Sequence, residues 1–212
     1  MSRFSLRNQP LAAVRLIGCI VLGLLAAHDA RPQAPTRELL NSERIEQKFG
    51  SYGIAVLRSD AQLRVANLFS GAGPGGAERI CRTFAVTRYP ANVVPAFAAE
   101  HREILAGGSI GAVFAAHGWR VTKTHMYFGR IEASARVAGL MLVAPGAPLA
   151  LDAYVLEVTK EGATFEYAAI VEIHHPDYLA LADVEAIYPA PDASGREALL
   201  ASVLADAAQA AR

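Results

Sequence analysis

Cysteine is nearly missing from this chain, which has two in 212 residues, Cys19 and Cys81. Cys19 lies in an N-terminal segment that reads as removable, so Cys81 stands alone and an internal disulfide in the mature monomer is excluded. An excess of either charge is missing too. Basic and acidic residues number 20 each, and setting aside residues 1–30, which hold Arg3, Arg7, Arg15 and Asp29, leaves 17 basic and 19 acidic. No basic stripe remains to displace counterions from a phosphate backbone, so a nucleic-acid partner is not expected. The pattern H-E-x-x-H and paired cysteines are likewise lacking. Ser70-Gly-Ala-Gly-Pro-Gly-Gly76 has neither the Lys nor the Ser/Thr of a phosphate loop and precedes a strand, so it reads as a hairpin tip. The expectation is therefore no metal and no cofactor.

Long apolar runs are also scarce, and the one of note is Leu16–Ala27, preceded by Arg3, Arg7 and Arg15. That is the layout of a secretory signal. A spanning helix needs about 20 apolar residues, and extending this run backwards meets Arg15 and Pro10. Residues 1–30 are expected to be a signal peptide or, if uncleaved, an anchor and the chain's membrane contact. The mature protein is then periplasmic or secreted. The cleavage point is undefined because no A-x-A pattern occurs. Leu16-Ile-Gly-Cys19 looks like a lipoprotein box, but most of the apolar run follows the Cys instead of preceding it.

What is present after residue 30 is enough for one real core. Residues 31–36 read as a linker, 37–188 as a single α+β domain, and 189–212 as a linker with an Ala-rich helix that is only loosely docked. Thr36 can cap a helix through Leu40, Ile45 and Phe49 that ends at Gly50. Tyr52–Arg58 and Leu63–Phe69 form a hairpin around Ser59-Asp-Ala-Gln62, followed by a strand from Arg79 to Tyr89. Pro95 opens a helix that Gly107-Gly108 stops, and Ser109 caps a short one to His117. Strands follow at 119–131, 149–158 and 163–175, the last two joined by a tight turn at Lys160-Glu-Gly162, with a helical piece at 133–143 between the first two. The sum is an antiparallel sheet of five to six strands with helices covering one face.

Lone charges on apolar strands mark the candidate site. Glu172 stands among apolar neighbours on the face that also carries Ala168, Ile170 and His174, where a carboxylate is usually paired or serves a pocket. Arg64, within Leu63-Arg-Val-Ala-Asn-Leu-Phe69, needs an anion, and its planar fork suits a carboxylate. Gly107-Gly-Ser-Ile-Gly111 matches the nucleophile-elbow pattern, yet a helix enters it where a strand is required, so a helix stop followed by a Ser cap is the better reading. His174-His-Pro-Asp177 offers two imidazoles, but neighbours on a strand point to opposite faces and cannot easily share an ion.

The order of these features resembles the chorismate lyase fold and its relative, the UTRA effector-binding domain of GntR-type repressors, over roughly residues 54–178. Arg64 on one strand, Ile80-Cys-Arg-Thr-Phe-Ala-Val-Thr-Arg-Tyr-Pro90 on the next, and Glu172-Ile-His-His-Pro176 at the end of the closing hairpin carry the likeness. The resemblance implies that Arg64 and Glu172 would be catalytic if the protein is an enzyme. In a binding domain, Arg64, Arg82, Glu172 and His174 would contact a small anionic ligand, with aromatic carboxylates among the candidates. Chorismate, however, is made in the cytoplasm, and no helix-turn-helix precedes the domain. Three readings stand: an exported small-molecule-binding domain, a cofactor-independent carbon–oxygen lyase acting on an enol-pyruvyl compound, and an envelope interaction protein using the 196–210 helix.

Overall fold

The computed structural model describes residues 39–71 and 78–212; the expected signal segment, the linker, the Thr36 cap and most of the glycine-rich turn lie outside them. The element order is α1 (Asn41–Phe49), β1 (Gly53–Ser59), β2 (Leu63–Ser70), β3 (Ile80–Arg88), a 3-10 turn (Pro95–Phe97), α2 (Ala98–Leu105), α3 (Ile110–Ala116), β4 (Arg120–Glu132), α4 (Ala135–Met141), β5 (Pro148–Lys160), β6 (Ala163–His174), α5 (Leu181–Ile187) and α6 (Glu197–Ala210). The strands form one antiparallel six-stranded sheet in the order β1-β2-β3-β6-β5-β4. The protein is therefore α+β, as the sequence pattern implies. Gly50 ends α1 in the left-handed conformation, at φ 73°, which glycine adopts without a Cβ penalty.

Alternation along the strands sorts the sheet into two faces. One face carries Val65, Phe84, Val86, Val171 and Ile173, which pack with Val137 and Met141 of α4 and with Val203 and Ala207 of α6. The other carries Ala66, Leu68, Tyr154, Leu156 and Ile170, which pack with α1, α2, α3 and α5. Helices thus cover the expected face and the opposite one as well. The C-terminal helix, expected to be loosely docked, is tied down: Val203 is fully buried, and Asp206 accepts a 2.6 Å hydrogen bond from Arg88 of β3.

Burying a Val side chain stabilises a fold by about 1.5–3 kcal/mol, so removing α6 uncovers more than the domain can spare. Truncation after Pro189 is expected to abolish cooperative thermal unfolding followed by circular dichroism. A sharp, native-like transition in the truncated protein would show that α6 is a dispensable appendage.

Candidate functional site

Cross-strand register builds the site on the α1 face. Arg64, Thr87, Ile170, Tyr154 and His125 are successive neighbours from β2 to β4. The adjacent row is Ala66, Ala85, Glu172, Asp152 and Phe128. Strands lie about 4.8 Å apart and rise about 3.3 Å per residue, so Arg64 and Glu172, two strands and one row apart, stand roughly 12 Å apart along the sheet. The small side chains of Ala66 and Ala85 lie between them and leave a hollow.

That hollow is a cavity of about 70 Å³. Its floor includes Arg64, Ala85, Tyr154, Ile170 and Glu172, and its roof is Leu40–Ser42 from the start of α1 together with Ser109–Gly111 at the start of α3. The roof fits because residue 111 is glycine: a Cβ there would fall 2.8 Å from Leu40 Cδ2. A cavity of this size admits a few waters or one small molecule.

Arg64 and Glu172 are brought to the same cavity but treated differently. Glu172 is saturated. Its Oε1 accepts from Asn41 Nδ2 at 2.8 Å and its Oε2 accepts from Lys123 Nζ at 3.2 Å. Burial opposes the Lys123 charge, but Glu172, with Tyr154, Tyr188 and Asp152, outweighs it and holds the ammonium well above the ordinary lysine range. Arg64 is 1% exposed. Among the described residues one terminal nitrogen donates to the Gly108 carbonyl at 2.8 Å, the neighbouring Tyr89 hydroxyl interacts with its charge, its Nε has no partner, and it forms no ion pair with a carboxylate. A buried donor left unpaired costs about 1–3 kcal/mol, more when charged. Arg64 is therefore a cavity cation that no described anion neutralises.

Behind Glu172 lies a polar cluster. His174 Nδ1 meets Thr83 Oγ1 at 3.1 Å and its Nε2 meets Asp152 Oδ1 at 2.9 Å. Asn41 Nδ2 also donates to Thr83, and the Tyr178 hydroxyl donates to Asn41 Oδ1, closing a loop from the roof to the floor. Burial opposes the Asp152 charge, but the hydrogen bond and charge of His174, with Lys123 and His125, hold its carboxyl below the usual range. Burial pushes the His125 imidazole down to about 4, leaving it neutral near pH 7 among the rings of Tyr188, Phe128 and Tyr154.

Of the residues that the sequence singles out, Arg64 and Glu172 line the cavity. His174 is buried directly behind it, one row on from Glu172. Arg82 is not part of the cavity: the β2–β3 register skips it at the Leu68/Phe69 irregularity, and it donates to Ser70 Oγ at 2.8 Å with its guanidinium 3.9 Å from the Phe49 ring centre. Ser109 occupies the N-cap of α3 without a side-chain cap bond. Its Oγ accepts from Tyr52 at 3.3 Å instead of capping the helix, and a helix, not a strand, enters the turn, so the expected helix stop is there while the expected side-chain cap is not.

Lys123, Asp152, His125 and Asn41 join the site without having stood out in the sequence. Asp152 carries the same signal as Arg64, a lone charge in the apolar run Leu149-Ala-Leu-Asp-Ala-Tyr-Val-Leu156. Asn41 carries none, being a polar residue at a helix start.

No family model matches the chain, and no curated protein matches it. Solved structures do show a partial likeness. The ligand-binding domain of a candidate GntR-family transcriptional regulator from Bordetella bronchiseptica is 12% identical at a TM-score of 0.39, over 60% of this chain and 87% of that one. GntR-family regulators from Enterococcus faecalis and Bacillus cereus are 12% and 18% identical at TM-scores of 0.37 and 0.35; each covers 61% of this chain, and 93% and 90% of their own chains are matched. A likeness of this degree carries no functional weight; the residues of the cavity do.

Proposed function

We propose that this chain is an exported domain that binds a small anionic molecule in the cavity between the sheet and the roof formed by α1 and α3. The observation that carries the reading is Arg64, a buried guanidinium in the cavity floor with an unpaired Nε and no carboxylate partner among the described residues. A ligand carboxylate supplies what the protein withholds, and charge-assisted pairs of this kind are about twice as strong as neutral hydrogen bonds.

The rest of the cavity limits the ligand's body. Leu68, Leu156, Ile54 and Ile170 give it apolar walls, and the cavity's volume restricts it to a small acid, with a single aromatic ring as the upper bound. Glu172 and Lys123 form a hydrogen-bonded pair at the opposite side. With Glu172 already holding Asn41 and Lys123, the pair offers a polar substituent the remaining donors of the Lys123 ammonium and repels neither sign strongly. Export rests on the Leu16–Ala27 run behind its arginines.

The test is a panel of small mono- and dicarboxylates scanned by thermal shift, with enol-pyruvyl compounds included and their products assayed. A rise in Tm for monocarboxylates, without turnover, is expected. Stabilisation by amines or neutral sugars alone contradicts the reading, and release of pyruvate from an enol-pyruvyl compound replaces binding with lyase chemistry.

A further inference from the structure

Asp152, Glu172 and His174 each present a ligand atom, and these atoms lie within 4.8 Å of one another. They come from two adjacent strands in register, Asp152 facing Glu172 across β5–β6. Two carboxylates and an imidazole are the donor types that borderline divalent ions such as zinc take.

A second observation points the same way. His125, 4% exposed, has both ring nitrogens without a hydrogen bond, and Asp152 Oδ2 has none either. His125 Nδ1 stands 3.5 Å from Asp152 Oδ2, too long for a good hydrogen bond. That spacing is close to the edge of a tetrahedron whose metal–ligand bonds are about 2.0–2.1 Å, an edge of roughly 3.3–3.4 Å. Three orphaned polar atoms thus meet at Asp152, the member of the group that His125 approaches.

We propose that Asp152, Glu172, His174 and His125 form a binding site for one divalent transition-metal ion directly behind the ligand cavity. Asp152 is the central ligand. His125 is held by ring contacts, its centroid 4.3 Å from that of Tyr188, and its nitrogens have no hydrogen bond to give up on meeting an ion. The internal competitor is Lys123, whose ammonium sits on Glu172. It also lies 4.3 Å from the centre of the Tyr154 ring and 5.4 Å from that of Tyr188, a place it keeps when Glu172 turns to an ion. This site goes beyond the small-acid reading and does not depend on it.

The experiment uses the full mature protein, stripped with a chelator and titrated with zinc by calorimetry and with cobalt by visible absorption. One equivalent should bind in the micromolar range or tighter, with cobalt giving the d–d bands of a low-coordinate N/O site. His125→Phe keeps a ring among its aromatic neighbours and should weaken binding by roughly tenfold or more, and Asp152→Asn by roughly 100-fold. Lys123→Met removes the competing cation and should tighten it. Absence of binding in the native protein overturns the proposal, and so does one-equivalent binding that is unchanged in both His125→Phe and Asp152→Asn. Tightening in Lys123→Met separates the proposed site from metal captured elsewhere on the chain.

Discussion

Arg64→Met is expected to abolish ligand binding while leaving the fold intact. Its guanidinium donates to the Gly108 carbonyl and leaves its Nε unpaired in a buried setting. Methionine fills similar space without a charge to desolvate, so the substitution relieves a cost while giving up one hydrogen bond to a charged donor, worth about 1.5–3 kcal/mol. The net change in stability should stay within about 1–2 kcal/mol. Binding loses its bidentate anion contact and should fall by roughly 100-fold or more, since a hydrogen-bonded charge pair truncated on one side costs about 2–5 kcal/mol. Calorimetric titration with the tightest acid from the panel, beside a thermal melt, reads both quantities. A variant that melts normally and binds normally removes Arg64 from the site.

The opposite pattern is expected at Glu172. Its carboxylate is buried and holds Lys123, whose side chain is also buried, and it anchors Asn41 of the roof. Glu172→Ala strands a desolvated ammonium, and breaking a buried pair from one side costs about 3–5 kcal/mol. The double variant Glu172→Leu with Lys123→Met should recover most of that loss, because an apolar pair of similar volume is often neutral or stabilising. Denaturant melts of the two singles and the double measure the coupling. If the double variant is as unstable as the singles combined, Glu172 acts through Asn41 and the roof, not through Lys123.

Much of this arrangement is legible in the sequence because two determining charges sit alone on apolar strands. Arg64 and Glu172 break the alternation of β2 and β6, and the period-2 pattern places each on a definite face. Asp152 gives the same signal but is easily passed over, since chain-local spacing draws attention to His174 and His175 instead. Those two do point apart, and the partners of His174 come from β5 and β3, across strands whose pairing no local spacing reveals. Arg82 is expected at the site through the resemblance alone: the row of β3 that faces the cavity is Thr83, Ala85 and Thr87, so its parity does not set it there. Lys123 is on an edge strand, β4, where lysine is ordinary, and the sequence does not show that Tyr154, Tyr188 and Glu172 gather around it.

The helices are less legible than the strands. The seven-residue α5 gives no clear sequence signal, although it leads into Tyr188, which stacks against His125; so short a segment offers too few turns to show a periodic face. The firm docking of α6 is hidden for a different reason, because a uniformly Ala-rich helix has little amphipathic contrast by which to show its buried side.

The measurement that bears most directly on the central claim is native mass spectrometry of the protein purified from its own envelope fraction, beside the Arg64→Met variant. The expected result is a mature chain shortened by about the first 30 residues, as for a cleaved secretory signal, carrying one small acid that dissociates under mild activation and is missing from the variant. A native protein that never carries or captures a small acid, or a variant that retains one equally well, would contradict the claim.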